Sequence, residues 1–111
     1  MKVLKFGGTS VANSNSLSKV ISILKDNDGS LLIVVSALGG ITNLLQESLI
    51  LKGKSTQKVL KEIEIRHLEI INNLSSQKSQ KPLKKFLKEK LSDLEEILYA
   101  ISTIDEVTKK T

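Results

Sequence analysis

The chain has 111 residues, 40% apolar and 26% charged, enough for one small domain and too few for two. The apolar share is ordinary for a globular protein and there is one proline, which excludes disorder over most of the length. A membrane helix is excluded too, because no apolar run is longer than the five residues of Leu31–Val35 and a span needs about 20 such residues. The net charge of +5 is carried almost wholly by lysine, since Arg66 is the one arginine, and the aromatics are Phe6, Phe86 and Tyr99 alone. Nucleic-acid binders offer arginine forks and stacking rings, so no nucleic-acid partner is expected. Lys2 and Lys5 interrupt the opening apolar stretch, which does not read as a signal peptide. There is no cysteine, hence no disulfide framework and no thiolate metal site. A cytoplasmic location fits these features.

Lys2 to Phe6 reads as a strand that Gly7-Gly8 ends. Leu17, Val20, Ile21 and Leu24 then recur at i, i+3, i+4, i+7, the stripe of a helix capped by Asn13 or Ser14 and stopped by Asp26-Asn27-Asp28-Gly29. Leu31–Val35 is continuously apolar, the pattern of a parallel strand buried on both faces. Strand, helix, strand makes a βαβ unit with an expected right-handed crossover. A glycine turn over Ser36–Gly40 precedes a short helix from about Thr42 to Leu51. From 56 to 104 the pattern is helical. Val59, Ile63, Ile70 and Leu74 line one helix, with Leu60 and Ile71 beside them. Pro82 is placed to start the next, whose stripe is Leu83, Leu87, Leu91, Leu94, Leu98 and Ile101. The two are expected to form an antiparallel hairpin. The expected class is α/β, with residues 1–55 holding the βαβ unit and glycine loops and residues 56–104 a helical excursion.

Only two strands are legible, and a sheet normally needs three or more. A strand apolar on both faces needs cover that this chain does not supply. The expectation is therefore an N-terminal piece of a longer α/β domain. The alternative is a complete small α/β protein with a further strand.

Two turns carry the candidate chemistry. Lys5-Phe6-Gly7-Gly8-Thr9-Ser10 leaves the carboxyl end of a strand, where small-residue turns let an anion approach backbone N–H groups. Lys5 could add positive charge to a phosphate held there, as phosphoryl transfer requires. The plain alternative is a glycine turn beside a solvated lysine. Ser36–Asn43 repeats the device, with Gly39-Gly40 ahead of Thr42-Asn43 at a helix N-terminus, where anions are stabilised. Its plain alternative is capping by Thr42 or Asn43. Two such turns at one sheet edge could face one crevice.

Other signals fail. Gly53-Lys54-Ser55 resembles the tail of a phosphate-binding P-loop, but the leading glycine is replaced by Ser48 and no apolar strand feeds it. There is no G-x-G-x-x-G. His67 is the one histidine and reads as an ordinary helix residue. Glu62, Glu64, Glu69, Glu95 and Glu96 sit among lysines as a solvated face. The lysine run at 78–90 reads as a solvated helix start, with an acidic surface as its alternative partner. Asn73-Leu74-Ser75 matches a glycosylation acceptor that a cytoplasmic chain would not use.

Taken together, Val3-Leu4-Lys5-Phe6-Gly7-Gly8-Thr9-Ser10-Val11-Ala12 resembles the opening signature of the aspartate kinases, and Ser36-Ala37 with Gly40-Ile41-Thr42-Asn43-Leu44-Leu45 resembles that family's second segment. The first, through Asn13, is most similar to the bifunctional aspartokinase/homoserine dehydrogenases. The resemblance implies a partial amino-acid-kinase fold and ATP-dependent phosphorylation of the side-chain carboxylate of L-aspartate. This is the first step towards lysine, threonine, methionine and isoleucine. It implies that Lys5, Phe6, Gly7 and Gly8 contact the ATP phosphates, with Lys5 catalytic, and that Ser36 and Thr42 lie in the aspartate pocket. Leu38-Gly39 stands where members vary. The implied cofactors are ATP and Mg2+, the metal held outside this chain, with NADP only where a dehydrogenase domain is present. A homo-oligomer is expected. The match covers the start of a kinase domain, so the isolated chain is expected to lack activity. A non-catalytic helical assembly module and another amino-acid kinase, acting on glutamate or acetylglutamate, are the competing readings.

Overall fold

A computed structural model describes residues 1–51 and 56–110, so the Gly53–Ser55 reading lies outside the described residues. The elements are β1 (Lys2–Phe6), α1 (Ser14–Lys25), β2 (Leu31–Val35), α2 (Ile41–Leu51), α3 (Thr56–Leu74) and α4 (Gln77–Lys110). They fall into two compact units, Met1–Thr42 and Asn43–Thr111. No helix among the described residues is long and apolar enough to cross a membrane.

The first unit is the expected βαβ. β1 and β2 pair in parallel from Lys2 beside Leu31 to Phe6 beside Val35. Asn13 caps α1, its Oδ1 accepting from the Ser16 N–H at 2.9 Å. At the other end the Asn27 side chain donates to the Ile23 carbonyl at 2.6 Å, and Gly29 takes φ +85°, a backbone conformation that glycine reaches without strain. The core is small: Phe6, Val11 and Val20 are buried, with Leu4, Leu17, Leu24 and Leu38 packed against them. Side chains alternate along a strand, so Leu4 and Phe6 share the α1 face while Val3 and Lys5 take the other.

β2 departs from expectation. Leu32, Ile33, Val34 and Val35 are all exposed, Val35 at 58%. The apolar run forms a strand as its composition dictates. Burial on both faces, however, needs strands and helices on each side, and the core cluster draws only on β1, α1 and the turns.

The second unit holds the hairpin. α3 buries Val59, Leu60 and Ile63. Two residues, Ser75 and Ser76, separate it from α4. The Ser75 N–H donates to the Ile71 carbonyl at 3.1 Å, and Gln80 Nε2 reaches the Ser75 carbonyl at 3.2 Å. α4 starts at Gln77, five residues before the expected start at Pro82, because Ser76 serves as its cap: its hydroxyl oxygen accepts from the Ser79 N–H at 3.3 Å, and its carbonyl accepts from the Ser79 and Gln80 N–H groups at 3.0 Å. Pro82 is thus carried inside the helix. The expected stripe of α4 also divides. Leu98 is buried and Leu87, Leu91 and Leu94 are half-buried, whereas Leu83 and Ile101 are exposed. At 3.6 residues per turn Leu83 and Ile101, five turns apart, fall at the same angle on one edge of the stripe, beside the four leucines that face inward.

Candidate functional site

Parallel pairing sends both strands out of the sheet at the same end. The Ser36 N–H donates to the Phe6 carbonyl at 3.1 Å, which extends the ladder one step beyond β2. From there the two glycine turns begin side by side. The first closes through Ser10 N–H to the Gly7 carbonyl at 3.0 Å and Val11 N–H to the Gly8 carbonyl at 3.3 Å. Val11, 2% exposed, pins it to the core. The second closes through Ile41 N–H to the Leu38 carbonyl at 3.0 Å, and the Ser36 hydroxyl donates to the Ala37 carbonyl at 2.7 Å.

The turns touch through their backbones. A Cβ built on Gly39 would lie 2.9 Å from both the Gly8 carbonyl oxygen and the Ala12 Cβ. One built on Gly8 would lie 3.6 Å from Ser36 Oγ and 3.7 Å from Gly39 Cα. Lack of a side chain at Gly39 is thus what lets the loops meet. Gly40 has a different reason to be glycine, its φ of +87° just ahead of α2. Gly7 and Gly8 do not take positive φ, space around Gly7 is open to 4 Å, and a Cβ on Gly8 would make only ordinary van der Waals contacts, so within this chain neither position of the first turn demands glycine. Replacing Gly39 by alanine is expected to lower the stability of this unit by about 1–3 kcal/mol through overpacking. A thermal midpoint equal to that of the parent chain would show that the loops part without cost.

Lys5 is exposed on the sheet face opposite Phe6, in register with Val34. Ser36 is exposed at the start of the second turn. Thr42 is exposed in the first turn of α2, which begins at Ile41, so Thr42 and Asn43 lie inside the helix rather than at its capping position. A cavity of about 360 Å³ beside the first turn is lined by Thr9, Ser10, Ser16 and Lys19 above the buried Phe6 and Val20. In the sequence Lys19 reads as one more lysine on the polar side of an amphipathic helix, and only the fold brings it beside the first turn. Another cavity, about 390 Å³ between α3 and α4, is lined by Glu95 and Glu96 but by none of the glycine-turn residues. His67 Nδ1 lies 2.7 Å from the Ile63 carbonyl of its own helix. Among the described residues no group of three or more histidine, aspartate or glutamate side chains could hold a metal ion.

Two parallel strands deliver two abutting glycine turns to the edge where open α/β sheets bind their ligands, and comparison with known proteins gives this α/β fold a family. Residues 1–103 match the profile of the amino acid kinase family, and the chain belongs to it. Within that family it stands with the aspartokinases. It is 38% identical over 73 residues to the aspartokinase of Chlamydia pneumoniae, covering 66% of this chain and 16% of the relative. It is 32% identical over 109 residues to the bifunctional aspartokinase/homoserine dehydrogenase of Buchnera aphidicola, covering 91% of this chain and 13% of the relative. Its fold matches the crystal structure of Escherichia coli aspartokinase III in complex with aspartate and ADP at a TM-score of 0.81 and 26% identity, over 92% of this chain and 22% of that one. The chain thus spans a small part of the relatives it matches, and the match to E. coli aspartokinase III makes the observed fold a partial amino-acid-kinase fold.

Proposed function

We propose that this chain supplies part of the active site of an aspartate kinase, which transfers the γ-phosphoryl group of ATP to the side-chain carboxylate of L-aspartate. A carboxylate oxygen attacks the γ-phosphorus, the bond from that phosphorus to the β,γ-bridging oxygen breaks, and 4-phospho-L-aspartate and ADP leave. The observation that carries this reading is the contact between the Gly7-Gly8 and Gly39-Gly40 turns at one end of a parallel sheet.

In this reading Gly7 and Gly8 present backbone N–H groups to the ATP phosphates, with Phe6 anchoring the strand that carries them. Lys5 places positive charge where the equatorial oxygens of the transferring group gain negative charge. Ser36 and Thr42 hold the amino acid, and Thr42 sits in the first turn of α2, where the helix dipole favours a carboxylate. The turns offer no carboxylate ligands for Mg2+, so no step is assigned to the metal through these residues. NADP belongs only to a dehydrogenase domain. A cytoplasmic setting and a place at the head of amino-acid biosynthesis complete the proposal.

The test is phosphoryl transfer by a full-length enzyme carrying this chain, with aspartate, glutamate and N-acetylglutamate offered separately. ADP release is expected with aspartate alone. Release with either of the others and none with aspartate overturns the reading. The isolated 111-residue chain is expected to show no aspartate-dependent ADP release, because it spans only a fraction of the length of its relatives.

A further inference from the structure

The outer side of α4 carries a second stripe that the hairpin does not use. Leu83, Phe86, Lys90, Asp93, Ile97, Ala100 and Ile104 are spaced alternately by three and four, the repeat of a coiled-coil seam. All are exposed, Phe86 at 57%, Ile97 at 56% and Ile104 at 66%, whereas Leu87, Leu91, Leu94 and Leu98 face inward. The two polar members are of opposite charge and lie one step apart at the middle of the stripe. In the single chain the Lys90 ammonium lies 5.4 Å from the Phe86 ring centroid, so the lysine already leans along the apolar seam.

We propose that this face is a self-docking surface, occupied by α4 of a second copy running antiparallel. A two-fold axis between Lys90 and Asp93 sets Lys90 against Asp93 of the second copy and Phe86 against Ile97. It also sets Leu83 against Ala100, so that one stripe complements itself over about 26 Å of helix. The wider charge pattern agrees. Residues 78–90 hold six lysines and one glutamate, while residues 91–106 hold Asp93, Glu95, Glu96, Asp105 and Glu106 and no lysine. Antiparallel pairing lays the basic half of one helix along the acidic half of the other. Parallel pairing would stack Lys90 on Lys90 and Asp93 on Asp93. Glu89 and Glu96 flank the seam and repel across it, which holds the association in a reversible range. The inference is independent of the catalytic proposal, because none of these residues belongs to the glycine turns.

Sedimentation equilibrium of the full 111-residue chain between about 10 µM and 1 mM tests it. A concentration-dependent dimer is expected. Lys90→Asp alone and Asp93→Lys alone should each weaken it about tenfold or more, and the double swap should restore it to within about threefold. Helical circular dichroism checks that each variant folds. For orientation, no native cysteine is present, so Phe86→Cys chains mixed with Ile97→Cys chains should cross-link to each other in preference to themselves. A monomer throughout, an association that survives the single swaps, a double swap that restores nothing, or preferential self-cross-linking of either cysteine variant each overturns the proposal.

Discussion

Replacing Lys5 by alanine in a full-length enzyme carrying this chain is expected to lower kcat for aspartate phosphorylation by about 10³-fold, near 4 kcal/mol of lost transition-state stabilisation. Lys5 is the last charged residue of β1 before the Gly7-Gly8 turn and lies exposed on the face opposite the core. Its removal therefore takes away charge without opening a cavity, and stability should change by no more than about 0.5 kcal/mol. The loss should fall on kcat rather than on KM for aspartate, because the added charge on the phosphoryl oxygens exists only as transfer proceeds. Lys5→Arg keeps the charge but replaces a point donor by a wide planar fork, so it should recover only part of the rate. Steady-state kinetics with circular dichroism as the folding control checks this. A full rate with alanine would remove Lys5 from the chemistry.

How much of this was readable beforehand differs from element to element. β1, α1 and β2 are legible because their signals are local: a short run that Gly7-Gly8 ends, an i, i+3, i+4 stripe, and an unbroken apolar run. The two glycine turns were legible as pairs, and their adjacency follows from parallel pairing, which sends both strands out at one end. What the sequence could not reveal was the work of each glycine. Gly39 is needed for its missing Cβ and Gly40 for its φ, and the two look alike as letters. Pro82 is the stronger signal in the letters for the start of α4, yet Ser76 satisfies the orphan N–H of Ser79 and starts the helix five residues earlier. β2 reads as buried because composition records what a strand can bury, not what is present to cover it. The stripe of α4 reads as one buried face for a similar reason: Leu83 and Ile101 sit on its edge, and spacing alone does not say where cover stops.

Replacing Phe6 by alanine should have the largest structural effect in the first unit. Phe6 is one of the three buried residues of that unit's core cluster, and it holds the end of β1 against Val11 and Val20. Truncating a buried phenylalanine costs about 3–5 kcal/mol. A unit of about 40 residues without disulfides or metal has little more than that to lose. The expected result is therefore loss of the βαβ unit rather than a graded softening. Amide exchange along β1 and β2 should approach the rate of an unstructured chain, and the Ser36 N–H bond to the Phe6 carbonyl should vanish with it. Phe6→Leu keeps most of the apolar volume and should cost about 1 kcal/mol, with exchange protection reduced but present. The pair separates a packing role from a chemical one. Both variants leave Lys5, Gly7 and Gly8 in the sequence, so turnover in a full-length enzyme should follow folding, near normal with leucine and absent with alanine. Exchange protection unchanged by the alanine variant would mean that something other than this small core holds the glycine turns together.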